Sequence, residues 1–164
     1  MDFNMYVPTK ILFGAGTLNK LGKQQLPGKT AVIIISNGKS TRANGYLSRT
    51  EEQLAQAGIA TSVFDKIQPN PLKETVMEGA AFVKAQGADF IVALGGGSVI
   101  DSAKAIAVMA ANPGDLWDYI ASGTGKGQPI KNKPLPIVAI STTAGTGSEA
   151  DAGCVITNPD TNEK

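Results

Sequence analysis

The chain has 164 residues, which is enough for one domain that buries a core without disulfides or metals. Its 15 basic and 14 acidic residues leave a net charge of +1, so the charge balance does not indicate nucleic acid or an anionic membrane as a partner. One cysteine excludes an internal disulfide and favours a reducing cytoplasm, and the absence of histidine excludes a histidine-built zinc site and a Ser-His-Asp triad within the chain.

Apolar runs of strand length alternate along the chain with segments of helical period, which is typical of parallel βαβ units. Strands are predicted at residues 6–13, 30–35, 60–64, 90–94, 136–140 and 154–157. Helices are predicted around residues 18–21, 47–57, 72–86 and 100–110, with one further helical turn at 115–119. Surface loops are predicted at residues 36–44 and 122–133.

Residues 30–35 are continuously apolar, as expected of a strand that is covered on both faces. The whole pattern therefore predicts an α/β fold, a Rossmann-like parallel sheet with helices on both faces. Cys154 lies in the last predicted strand and is expected to be buried and inert. The chain stops at Lys164, where a returning strand is expected to begin, and we therefore expect the natural protein to continue beyond it.

The strongest local signal is the strand–loop–helix unit at residues 90–104. Its buried strand runs into Gly95-Gly96-Gly97-Ser98, where the missing Cβ atoms let backbone N–H groups approach an anion. The next helix presents its unpaired first-turn N–H groups to the same point. Ser98 is predicted to cap this helix, with Asp101 completing a capping box. The unit predicts a phosphate or pyrophosphate site; a tight turn before a well-capped helix is the alternative.

A second loop, residues 142–149, also follows a predicted buried strand directly. It offers the hydroxyl groups of Thr142, Thr143 and Thr146 at the carboxyl end of a strand, where open parallel sheets bind their ligands. By itself the loop is equally well explained as a flexible exposed segment. Together with the glycine-rich turn at the same edge of the sheet, it indicates a shared nucleotide crevice.

The loop after the strand at residues 30–35 bears on the choice of dinucleotide. NAD-binding folds place an acid at such a strand end, where it binds the ribose 2′-hydroxyl. Here the strand is followed by Asn37, Gly38, Lys39 and Ser40, with Arg42 nearby and no acid. Lys39 and Ser40 could bind a 2′-phosphate, which predicts a preference for NADP over NAD. An ordinary Asn-Gly turn is the alternative, and it leaves NAD possible.

Taken together, these segments resemble the N-terminal domain of the iron-containing (group III) alcohol dehydrogenases. The resemblance rests on residues 8–16, Pro69-Asn70-Pro71, residues 95–104 and residues 142–149, in that family's order and spacing. The glycine-rich block is shared with glycerol dehydrogenases and dehydroquinate synthases, whereas the Thr-Gly block is more specific to the alcohol dehydrogenases. The resemblance therefore identifies residues 1–164 as a dinucleotide-binding domain.

The resemblance also implies which residues contact the cofactor. The glycine-rich turn from Gly95, with Gly96, Gly97, Ser98 and Asp101, would serve the pyrophosphate and nicotinamide end. Asn70, Thr142, Thr143 and Thr146 would line the same groove. Lys164 aligns with a lysine that reaches the cofactor ribose in that family.

The catalytic residues of that family, in contrast, have no counterpart in this chain. The family's metal ligands, one aspartate and three histidines, belong to an all-helical C-terminal domain that would follow residue 164. We therefore expect no catalytic residue and no metal here, an inactive chain by itself, and iron or zinc only in the complete enzyme. The complete enzyme would interconvert a small alcohol and its carbonyl as a homo-oligomer. A glycerol or polyol dehydrogenase and a non-catalytic nucleotide-binding module are the alternatives.

Overall fold

The computed structural model describes residues 2–3 and 6–164 and contains one parallel sheet of four strands. The strands are β1 Thr30–Ser36, β2 Ala60–Ile67, β3 Phe90–Gly95 and β4 Ile137–Ser141, in the spatial order β2-β1-β3-β4. The α-helices are α1 Ser40–Ala43, α2 Tyr46–Gln56, α3 Lys73–Ala85 and α4 Gly97–Ala111, and 3-10 helices cover Thr17–Lys23 and Leu116–Asp118. Among the described residues, no helix has both the length and the apolar character needed to cross a membrane.

Strand β1 lies at the centre of the fold because it pairs with β2 on one side and β3 on the other. Its residues 31–35 are completely buried, although their side chains alternate between the two faces of the sheet. Ile34 belongs to the core that α3 and α4 cover, and Ile35 belongs to the core under α2 and the first 3-10 helix. The predicted α/β sheet with helices on both faces is therefore confirmed.

The predicted strand at residues 6–13 is wrong. This segment forms no strand, and its apolar side chains are exposed, including Ile11 at 65% and Phe13 at 95%. A strand exists only where a neighbour satisfies its ladder of backbone hydrogen bonds. In the described part of the chain, no backbone hydrogen bond joins residues 6–13 to the sheet. The segment is apolar enough for a strand, but in the described part of the chain it has no partner strand.

Four smaller predictions also need correction. Strand β2 continues to Ile67, three residues beyond its predicted end, and the loop at residues 36–44 contains the short helix α1. The last predicted strand, residues 154–157, reduces to one isolated bridge between Thr157 and Leu72. Only Thr157 exchanges backbone hydrogen bonds there, with Pro71 and Lys73. Cys154 consequently lies outside the sheet and is exposed, contrary to its predicted burial.

The C-terminal segment is attached to the rest of the fold through Glu163. Its carboxylate accepts hydrogen bonds from the backbone N–H and hydroxyl of Thr124, the hydroxyl of Thr161 and the indole N–H of Trp117. The hydrogen bonds from the Thr124, Thr161 and Trp117 side chains, followed by the one from the Thr124 backbone, lower the pKa of Glu163 from 4.5 to about 2. The contacts thus join the chain end to the loop at residues 122–127.

This arrangement predicts an acid transition that is centred on Glu163. A carboxyl group whose pKa is lowered on folding stabilises the fold above its ordinary pKa, and this contribution is lost as the pH falls from 4.5 to about 2. Trp117 is the chain's single tryptophan and its N–H lies 2.9 Å from Glu163 Oε2, so its fluorescence reports the contact. We expect a fluorescence change centred near pH 2 that Glu163→Gln removes. A midpoint near 4.5 would contradict the assigned contacts.

Candidate functional site

The carboxyl ends of β3 and β4 place the two predicted loops side by side. The strands pair in parallel with Gly95 opposite Ser141, and the N–H of Thr142 donates to the carbonyl of Gly95 at 3.0 Å. The glycine-rich turn and the loop after β4 therefore start at neighbouring points of one sheet edge. This is the edge at which parallel sheets bind their ligands.

The turn after β3 leads into α4 through Gly96, which has an extended backbone and no side-chain cap. The N–H groups of Val99 and Ile100 both donate to the Gly96 carbonyl. The predicted cap by Ser98, with Asp101 in a capping box, is therefore wrong, because α4 begins at Gly97 and Ser98 already lies within it. The N–H groups of Gly97 and Ser98 have no acceptor among the described residues and lie at the positive end of a 15-residue helix.

The two loops touch at this turn, so a side chain on either glycine would crowd the threonines of the second loop. A Cβ atom on Gly96 would lie 2.7 Å from the hydroxyl oxygen of Thr143, and one on Gly97 would lie 3.0 Å from the Thr146 methyl group. Neither glycine has a positive φ, so their small size, and not a left-handed backbone, is what distinguishes them here. The structure thus brings Gly96, Gly97, Thr143 and Thr146 together, as the shared crevice requires.

A cleft of about 330 Å³ opens at this edge of the sheet. Seven of the residues predicted for the cofactor line it, namely Ser40, Gly95, Gly96, Gly97, Ser98, Thr142 and Thr143. The other lining residues are Ser36, Thr41, Ile67, Gln68, Pro69 and Val99. Since none of the lining residues is acidic, nothing in the lining repels a phosphate.

Sequence reasoning missed the contribution of β2 to this cleft. Ile67 and Gln68 line it, and the Ile67 carbonyl accepts a hydrogen bond of 2.8 Å from the N–H of Asn37. The omission follows from the predicted end of β2 at residue 64, which placed residues 65–68 outside the sheet. The available signal was Ile67, an apolar residue at even spacing from Val63.

The predicted 2′-phosphate loop lies beside the cleft, with Ser40 in its wall. Asn37, Gly38 and Lys39 are exposed and precede α1, and Lys39 occupies the position before its first residue. Arg42 is already paired, because its guanidinium donates to Asp65 on β2 at 2.7 Å. Lys39 is therefore the free cation of this loop within the described part of the chain.

Asn70 and Lys164 lie 94 positions apart in the sequence and are in contact. The Lys164 ammonium donates to the Asn70 side-chain oxygen at 3.0 Å. Asn70 has a φ of 51° between two prolines, a left-handed conformation that asparagine tolerates better than most residues. Strained backbone of this kind is concentrated at functional sites. The residue directly before it, Pro69, lines the cleft.

Asp101 lies one turn into α4, away from the free N–H groups. One of its carboxylate oxygens accepts a hydrogen bond from the Ser148 hydroxyl, and the other accepts one from the Val155 N–H at 3.0 Å. Both oxygens are thus engaged with the segment that follows β4. In this structure Asp101 supports the wall of the crevice.

The sequence model of a family described as iron-containing alcohol dehydrogenase matches residues 8–164. A probable NADH-dependent butanol dehydrogenase of Bacillus subtilis is 40% identical over 99% of this chain and 41% of its own length. An NADPH-dependent aldehyde reductase, YqhD of Escherichia coli, is 36% identical over 99% of the chain and 41% of its own length. The chain thus spans about two fifths of the curated relatives it matches.

The solved structures agree with the sequence comparison. The alcohol dehydrogenase ADH/D1 from an archaeal halo-thermophile of a Red Sea brine pool, bound to NZQ, superposes with a TM-score of 0.90. It is 37% identical, and the match covers 98% of this chain and 41% of that one. The same fold is therefore found in a protein that extends well beyond the matched part.

Proposed function

This chain belongs to the iron-containing alcohol dehydrogenase family, and on that premise we propose that it is the dinucleotide-binding part of an NAD(P)-dependent alcohol dehydrogenase. The observation that carries the proposal is the turn from β3 into α4. There, two backbone N–H groups with no acceptor in the described part of the chain border a cleft free of acidic lining residues, and the Thr143 hydroxyl of a second loop lies where it would crowd a side chain on Gly96. Such a turn suits a pyrophosphate, which needs close backbone donors and no competing carboxylate.

The described residues suggest how a dinucleotide would lie. Its pyrophosphate would accept from the N–H groups of Gly97 and Ser98, while Thr142 and Thr143 line the opposite side of the cleft and Thr146 lies against Gly97. Asn70 and Lys164 are held together beside the cleft and would bind ribose hydroxyls, which need both a donor and an acceptor. When bound, the nicotinamide ring would exchange a hydride with a small alcohol or its carbonyl.

Iron, which the family name implies, does not fit the residues of this chain. The sequence has no histidine, and among the described residues no group of three histidine, cysteine, aspartate or glutamate side chains could hold an ion. We therefore assign no metal-dependent step to these residues. A helical domain that supplies the metal ligands, and a homo-oligomeric assembly, stay predictions from the resemblance.

We also propose that NADP is the preferred dinucleotide. The end of β1 contributes Ser36 and Ser40 to the cleft and no acid, and Lys39 is exposed beside it. A 2′-phosphate would gain a charge-assisted hydrogen bond from Lys39. A 2′-hydroxyl would find no carboxylate there to accept its hydrogen bond. The relatives named above include one NADH-dependent and one NADPH-dependent enzyme, so the family is compatible with either cofactor.

Calorimetric titration of the 164-residue chain tests both proposals. We expect NADPH to bind more tightly than NADH by a factor on the order of ten, the value of one charge-assisted contact. Lys39→Asp should reverse this preference, because it repels the 2′-phosphate and supplies an acceptor for a 2′-hydroxyl. Tighter binding of NADH by the unaltered chain would overturn the preference, and failure to bind either dinucleotide would overturn the proposed function.

A further inference from the structure

Lys104 lies on α4, three residues after Asp101, and its side chain is only 16% exposed. Its ammonium group donates to the carbonyl of Gly153 at 2.6 Å, to a carboxylate oxygen of Asp151 at 2.7 Å and to the hydroxyl oxygen of Ser148 at 3.2 Å. Three acceptors match the three protons of an ammonium group. Lys104 is therefore fully engaged, and all three of its acceptors belong to one segment of the chain.

That segment, residues 142–155, has little structure of its own. It contains no helix or strand, and residues 142–147 are exposed. In the described part of the chain, its hydrogen bonds to α4 are those of Lys104 and the two that Asp101 accepts from Ser148 and Val155. The Ser148 hydroxyl connects the two sets, because it donates to Asp101 and accepts from Lys104.

The same segment begins with the threonines that face the glycine-rich turn. Thr143 and Thr146 approach Gly96 and Gly97 closely, and Ser148, the buried anchor of the segment, follows Thr146 by two residues. The Ser148 N–H also faces the Thr146 hydroxyl oxygen, at 3.4 Å. A displacement of Ser148 would therefore move Thr146 away from the phosphate-binding turn.

We propose that Lys104 is a positioning residue that fastens residues 148–153 to α4 and thereby holds Thr143 and Thr146 against the glycine-rich turn. It acts on the dinucleotide through this segment and not by contact. The proposal rests on the proposed function, because the crevice it maintains is the dinucleotide crevice. Lys104 lies outside the cleft lining, and its removal is expected to weaken dinucleotide binding.

Lys104→Met tests this, since methionine keeps much of the aliphatic length and removes all three donors. We expect the Kd for NADPH to rise about tenfold, and amide hydrogen exchange in residues 147–155 to become about tenfold faster. Lys104→Arg keeps the charge and the donors and should restore most of the affinity. Lys126→Met is the matched control, because Lys126 forms an ion pair of the same 2.7 Å length with Asp118 outside the crevice. It should change neither measurement.

The outcomes separate this inference from the proposed function. Faster exchange in residues 147–155 together with weaker NADPH binding supports the positioning role. Weaker NADPH binding with unchanged hydrogen exchange would mean that Lys104 contacts the dinucleotide directly. Unchanged binding with faster exchange would mean that the segment does not shape the crevice. Either result overturns the inference. A chain that binds no dinucleotide overturns the proposed function, and the exchange rates of Lys104→Met then still show whether Lys104 holds the segment.

Discussion

Gly97→Asp is expected to raise the Kd for NADPH by on the order of 100-fold. The new carboxylate would lie on the first residue of α4, beside the N–H groups proposed to bind the pyrophosphate. At ~5 Å and an effective dielectric constant of ~20, two like charges repel by about 3 kcal/mol, which corresponds to that change in Kd. Calorimetric titration of the dinucleotide measures it.

The fold itself should tolerate this substitution. Gly97 has no positive φ, and an acid in the first turn of a helix interacts favourably with the helix dipole. The new Cβ would lie 3.0 Å from the Thr146 methyl group, which sits in an exposed loop and can move. Gly97→Ala introduces the same contact without the charge and should lose far less affinity. Equal losses in the two variants would show that crowding, and not a phosphate, explains the turn.

Ile34→Ala and Ile35→Ala are each expected to lower the free energy of unfolding by about 2–5 kcal/mol. Both side chains are completely buried, but they contact different cores on opposite faces of β1. Removing either one leaves a cavity that packed helices on its own side cannot fill. Because small domains are stable by only ~5–15 kcal/mol, each loss should be obvious in urea denaturation.

Ile11→Ala is the control for these two variants. Isoleucine is replaced by alanine there as well, but Ile11 is 65% exposed in a segment that forms no strand. We expect a change within about 0.5 kcal/mol. A large loss at Ile11 would mean that residues 6–13 pack against the fold after all. A small loss at Ile35 alone would mean that the α2 face of the sheet is not a packed core.

The central part of the fold was predictable because its sequence pattern reports burial directly. A continuous apolar run at residues 30–35 requires cover on both faces, and the structure supplies that cover. Residues 6–13 show the limit of the same reasoning. Their composition suits a strand, but strand formation depends on a partner edge, which composition does not reveal.

The candidate site was predictable to the extent that it depends on strand ends. Gly95 and Ser141 end paired strands, so the loops that follow them had to meet. The contacts within the site depend on tertiary structure. The start of α4 at Gly97 instead of after Ser98 follows from the path of the turn, and the attachment of Ser148 to Lys104 joins residues 44 positions apart. The spacing of residues along the sequence predicts neither of these features.

The central position of β1 has a consequence for the order in which the chain can fold. β1 is synthesised first among the four strands, yet both strands that flank it come later in the sequence. At ~5–20 residues per second, the ribosome needs roughly 3–12 s to proceed from the end of β1 to the end of β3. An uncharged, isoleucine-rich strand has two open edges until β2 has been synthesised and one open edge until β3 has been synthesised, which favours aggregation. An interior strand of the finished sheet thus needs protection of its open edges while the rest of the chain is being synthesised.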